Sequence, residues 1–190
     1  MYDAIDDPYC YPGTTVLKNR RALRSQSALT RFETAATALR FSEPLPGGRL
    51  SVRHYRAIHH HLFQDVYTWA GKLRTIRLSK DGSVFCYPEN IHWEMNVLFD
   101  RLRRDEFLIG LSAATFAHKA ARFLATLNGI HAFRDGNGRA QLVFMAVLAD
   151  TAGRPLNLRK LEPARFLAAM IRSFHGEEDA LSEQLAELVA

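Results

Sequence analysis

The chain has 190 residues, of which 47% are hydrophobic and 24% charged. That leaves room for one domain of ordinary size and matches a globular protein, not a disordered or fibrous one. The formal charge of +5 favours an anionic ligand, but the basic residues are dispersed, and their tightest groups, Lys18–Arg24 and Arg101–Arg104, lack the interleaved aromatics of single-strand binders, which argues against direct nucleic-acid binding.

The N-terminal stretch is acidic and broken by Pro8 and Pro12, so it reads as irregular and not as a leader peptide. Cys10 and Cys86 cannot form a disulfide framework, and no apolar run approaches the ~18 residues of a membrane span. A cytoplasmic, reducing location with no membrane contact is expected. Val16 to about Arg40 reads as a helix carrying Leu17, Leu23, Leu29, Phe32 and Leu39, ended by Ser42-Glu-Pro-Leu-Pro-Gly-Gly48. A second helix spans Ser51 to Asp65, with Tyr55, Ile58 and Leu62 at helical spacing.

The period then changes. Residues 74–87, RTIRLSKDGSVFCY, form two short runs around Asp81-Gly82, a hairpin signal because both turn positions accept positive φ. A two-residue turn sets Lys80 opposite Ser83, Leu78 opposite Phe85 and Ile76 opposite Tyr87 on one face. Arg77, Ser79, Val84 and Cys86 fall on the other. An isolated hairpin is marginal in water, so this one must rest on helices or pair with another strand. Helices follow at Pro88–Arg104, Ser112–Asn128, Asn137–Ala152, Leu161–Phe174 and from Glu177 onward. The third of these is apolar nearly all round, as a buried central helix would be. The fold class is all-α with one β-hairpin.

The chemistry lies in His131-Ala-Phe-Arg-Asp-Gly-Asn-Gly-Arg139. Gly136-Asn137-Gly138 can turn successive backbone N–H groups inward at the partly positive start of a helix. Arg139, in the first turn, can fork onto a phosphate oxygen. Asp135 is placed for Mg²⁺, which takes one or two carboxylates together with phosphate oxygens. His131 titrates near neutrality and can accept a proton from an attacking hydroxyl. Base, metal ligand, N–H cradle and guanidinium are the set that phosphoryl or nucleotidyl transfer requires. The plainer alternative is a turn and helix cap with Phe133 in the core. It explains the glycines but not four chemically useful groups within nine residues.

These residues resemble the Fic family motif, His-x-Phe-x-Asp/Glu-Gly-Asn-Gly-Arg-x-x-Arg, at every fixed position from 131 to 139. The resemblance extends to Tyr11-Pro-Gly-Thr14, Val16-Leu-Lys-Asn19, His61–Gly71 and Leu73–Arg77, covering about residues 8–160. The C-terminal helices 161–190 complete a single Fic domain. It implies the Fic helical bundle with a hairpin flap, and transfer of AMP from ATP to a hydroxyl of a target protein. By that likeness His131 is the base and Asp135 holds Mg²⁺. Gly136, Asn137 and Gly138 hold phosphate oxygens, and Arg139 steadies the phosphates. Arg74, Thr75, Ile76, Arg77, Leu78, Ser79 and Lys80 form the flap strand that aligns the target by strand addition. Glycine at 136, where the phosphorylating Doc relatives have alanine, favours AMP transfer over kinase activity.

Two departures stand out. Leu142 replaces the second motif arginine, which grips the γ-phosphate in the family. This keeps open a degenerate domain that binds nucleotide or a partner with little turnover, and a neighbouring base such as Arg134 is a candidate compensator. Ala132 replaces the usual proline. The family's inhibitory motif has only a poor match in Ser173–Glu178, which reads as a helix boundary. Inhibition in trans by a small antitoxin protein is expected instead. His59-His60-His61 cannot converge on one ion, since neighbours on a helix point about 100° apart. His118 and the tryptophans Trp69 and Trp93 read as interior or flap-supporting residues.

Overall fold

A computed structural model describes residues 7–80 and 82–189. Among them are α1 (Gln26–Phe41), α2 (Val52–Phe63), β1 (Ser79–Lys80), β2 (Ser83–Val84), α3 (Pro88–Arg104), α4 (Ala113–Ile130), α5 (Asn137–Thr151), α6 (Pro163–Phe174) and α7 (Asp179–Leu188). The architecture is thus helical with one short hairpin. The chain folds as two compact units. The first runs to Ile91 and takes in Ala132–Ala140; the second holds His92–His131 and the residues from Gln141 onward.

In the first unit α1 packs on α2. Ser51 caps α2 by accepting the His54 backbone N–H, which satisfies a donor that the first turn leaves open. Tyr55, Ile58, His59, Leu62 and Phe63 are its buried face. Arg40, near the end of α1, forks both oxygens of Asp65 just beyond α2, at 2.6 and 2.8 Å. The first helix begins ten residues later than its apolar spacing suggests, because Asn19 competes for the backbone. Its amide donates to the Leu17 and Leu23 carbonyls and accepts the Leu23 N–H, which ties this stretch into a turn. Leu17 instead forms an antiparallel bridge with Cys10.

The hairpin has the expected register, with Ser79 opposite Val84 and Lys80 opposite Ser83. The Phe85 N–H continues it to the Leu78 carbonyl. Leu78 and Phe85 are buried and Val84 is exposed, as read, but Tyr87 of the same set as Leu78 is exposed and Cys86 of the opposite set is half-buried. Of the turn pair, Gly82 has φ +80°, while Asp81 lies outside the described residues.

In the second unit α4, capped by Ser112, packs against α6 and α7. The Phe99, Phe123 and Phe144 rings meet at 5.3 to 5.8 Å, an arrangement worth more than its area alone. Two expectations need correction. His118 is exposed, because the buried face of α4 runs through Phe116, Ala117, Ala120, Ala121 and Leu124 and leaves position 118 outside it. Trp93 is 69% exposed, off the α3 face made by Met95, Leu98, Phe99 and Leu102. No helix among the described residues is long and apolar enough to cross a membrane.

Candidate active site

The motif loop of the first unit is built on α2. His59 is fully buried with its ring stacked on Phe133 at 3.7 Å. Its Nδ1 accepts the Gly71 N–H at 2.9 Å. Nε2 therefore carries the proton in the neutral ring and donates to the Asp135 carbonyl, also at 2.9 Å. Burial pushes its pKa down to about 3, so this imidazole is a fixed neutral strut. Asn137 closes the loop from inside, its Oδ1 accepting the Phe133 N–H and its Nδ2 donating to the Phe133 carbonyl. Gly136 has φ +77°, and a Cβ there would lie 2.4 Å from the Phe63 ring. Only glycine fits without moving Phe63.

Beside this loop is a cavity of about 510 Å³ whose lining includes Thr30, Glu33, Tyr67, Lys80, Arg134 and Asp135. Glu33 projects from α1 and takes two partners, accepting from the Tyr67 hydroxyl and the Arg139 guanidinium. Arg139 also lies over the Phe63 ring at 4.5 Å. Burial first, and the charge of Glu33 second, hold the Tyr67 hydroxyl far above its ordinary pKa. The same two causes raise the carboxyl of Asp135, which accepts the Gly136 N–H at 2.6 Å. Arg134 is paired with Asp7 at 2.6 Å, both side chains at least nine-tenths buried.

His131 belongs to the second unit, where it ends α4 in a left-handed conformation, φ 49° and ψ 61°. A non-glycine residue there costs on the order of 1–2 kcal/mol, and the strain redirects the chain at the helix end. The ring is almost wholly buried. Its Nδ1 faces the Asn128 carbonyl at 3.3 Å, and a carbonyl only accepts. In the neutral ring Nδ1 therefore holds the hydrogen and Nε2 the basic lone pair.

The structure brings Asp135 to the cavity wall, with the Gly136 N–H on its carboxylate and Arg139 joined through Glu33, and leaves Gly138 exposed at the start of α5. Two of the expected site residues have their side chains bonded within the protein. The Asn137 side chain bonds Phe133 through both its oxygen and its amide nitrogen, so it shapes the cradle. Arg74 is 2% exposed, and its guanidinium donates to the Ile76 and Cys86 carbonyls across the hairpin. It braces the flap, because so many donors are stable in a core only when they are satisfied. Thr75 and Arg77 are exposed, Ile76, Ser79 and Lys80 half-buried, and Leu78 buried. Arg134 cannot stand in for the missing arginine with a free charge, since Asp7 neutralises it.

Three residues the sequence reading missed are Glu33, Tyr67 and His59. Each left a trace. Leu29, Glu33 and Thr37 recur every four residues on α1, which places a carboxylate in a buried stripe. His59 shares helical spacing with Tyr55 and Leu62. Tyr67 is one of several aromatics after α2, with nothing in its local pattern to mark it.

The Fic/DOC family model matches residues 49–149. A relative from Sinorhizobium fredii, named probable protein adenylyltransferase y4lH, is 49% identical over 99% of this chain and 98% of its own. One from Escherichia coli, named probable protein adenylyltransferase Fic, is 34% identical over 97% and 92%. Among solved structures, the BepC protein of Bartonella tribocorum with bound AMPPNP, a VirB-translocated effector, superposes with a TM-score of 0.87 at 25% identity, covering 96% of each chain. With the motif complete from His131 to Arg139 and the hairpin in the expected register, the chain belongs to the Fic/DOC family.

Proposed function

We propose that this protein is a protein adenylyltransferase, which joins AMP from ATP to a hydroxyl side chain of a target protein. The observation that carries this reading is the motif loop folded beside a cavity with Asp135 on its wall, in a chain that matches named adenylyltransferases along nearly its whole length. The target oxygen attacks the α-phosphorus, the bond to the departing pyrophosphate breaks, and Nε2 of His131 takes the hydroxyl proton. The backbone N–H groups at the start of α5 stabilise the phosphate charge, and Arg139, whose charge Glu33 offsets, adds its remaining N–H donors. Asp135 fits Mg²⁺ as a single hard oxygen donor on the cavity wall. No group of three metal-ligating side chains occurs among the described residues, so the nucleotide and water would complete the shell, as is usual for this ion. When bound, Mg²⁺ would neutralise phosphate charge.

Glycine at 136 supports AMP transfer over phosphorylation, because the alanine of the Doc pattern has no room against Phe63. The target adds to the two-residue edge of the flap. A cytoplasmic enzyme of toxin type, restrained in trans by a small protein, completes the reading. The near-match to an inhibitory motif is a helix boundary whose Glu177 is tied to Arg172. Leu142 favours one rival, a nucleotide binder with little turnover. Lysate incubated with Mg²⁺ and ATP labelled in the α- or the γ-phosphate decides among them. Transfer of the α-label, lost by a factor of about 100 or more in His131→Ala with ATP binding intact, is the expected result. Transfer of the γ-label alone would establish a kinase, and binding without transfer the degenerate domain.

A further inference from the structure

A triphosphate needs uncompensated positive charge, and the cavity has little of it. Two cations line it, Arg134 and Lys80. Arg134 is neutralised by Asp7, and Arg139 next to the cavity by Glu33. Position 142, one turn after Arg139 on the same face of α5, is leucine. Lys80 differs from all of these. It ends β1, is half-buried, and no hydrogen bond or ion pair joins its side chain to another described residue. Its carboxylate neighbours on the wall, Glu33 and Asp135, already have partners in Arg139 and the Gly136 N–H.

We infer that Lys80 is a nucleotide-binding residue, supplying from the hairpin the cation that reaches the phosphates of ATP where Leu142 has removed one. This rests on the nucleotide reading above and changes the role of the flap. The hairpin that receives the target also contacts the donor, so its β1 end is part of the ATP site. A lysine suits the task because its flexible stem and three donors can follow a mobile phosphate chain.

The test measures binding of ATP and of AMP by titration calorimetry, without target, to the wild type, Lys80→Met, Lys80→Arg and the double variant Lys80→Met with Leu142→Arg. Methionine keeps the stem and removes the charge. The ratio of ATP affinity to AMP affinity should fall about tenfold in Lys80→Met, the size of one lost charge-assisted contact at a half-exposed site. It should return in Lys80→Arg and recover in part in the double variant. An unchanged ratio in Lys80→Met, with a raised KM for target protein alone, would overturn the inference and leave Lys80 a docking residue. A wild type that binds no ATP would instead overturn the reading in the previous subsection, so the two failures are separable.

Discussion

Glu33 accepts from Arg139 and from Tyr67 at once, so it both holds the guanidinium in place and cancels its charge. A neutral amide of the same shape keeps the positions and removes the cancellation. Glu33→Gln should therefore bind ATP about three- to tenfold more tightly, a gain on the order of 1 kcal/mol for a partly exposed charge, measured by direct titration. Weaker binding would mean that the carboxylate's grip on Arg139 outweighs its repulsion of phosphate. The residues of the motif were legible in the sequence because all are contiguous, and their chemistry is readable from spacing alone. Glu33 was not, since its partner Arg139 lies 106 positions away. The bonds of Asn137 to Phe133 are hidden in the sequence for a related reason. A side-chain amide beside a phosphate loop can serve the ligand or the backbone, and only the fold decides which.

The hairpin gives Lys80 to the cavity wall, and its two-residue ladder is too short to be stable alone. Arg74 supplies what the ladder lacks, bonding the Ile76 and Cys86 carbonyls from below while its own N–H donates to the Ala132 carbonyl at 2.9 Å. Arg74→Met removes the guanidinium donors and leaves two part-buried carbonyls without them, at a cost of up to about 1–3 kcal/mol each. The expected outcome is faster proteolytic cleavage within residues 74–87 in native buffer, with the far-ultraviolet helical signal retained. Cleavage at the wild-type rate would show that the hairpin is held by its apolar face, through Leu78 and Phe85. The helices after residue 88 fall where period and caps put them, because strong apolar spacing and Pro or Ser starts agree there. The start of α1 does not. Leu17 and Leu23 satisfy the helical pattern, but Asn19 bonds three backbone groups around it and wins locally.

For the molecule as a whole, the neutral His59 ties pH to stability. Its pKa is about 3 in the folded chain against an ordinary 6.5, so below pH 6.5 the unfolded chain binds a proton that the folded chain refuses. The stabilisation is complete above pH 6.5 and declines by up to about 1.4 kcal/mol per pH unit below it until the folded ring titrates. Between pH 7.5 and 5.5 the wild type should lose about 1 kcal/mol more than His59→Gln in urea unfolding. Parallel losses would show that the ring gains a proton without disturbing the fold. Composition and charge had pointed to an anion-binding globular protein, but nothing in them shows a histidine locked between Phe133 and the Asp135 carbonyl.

The clasp between Arg134 and Asp7 spans 127 positions, and it has a bearing on biosynthesis. A ribosome releases Asp7 well before Arg134, the residue that fastens it. Until then α1 and α2 can gather their own apolar faces, but the loop that is to receive ATP has neither its glycines nor its anchor. A nascent chain that has not reached Arg134 carries no finished pocket, and the competence to modify another protein arrives only as the two distant segments close on each other.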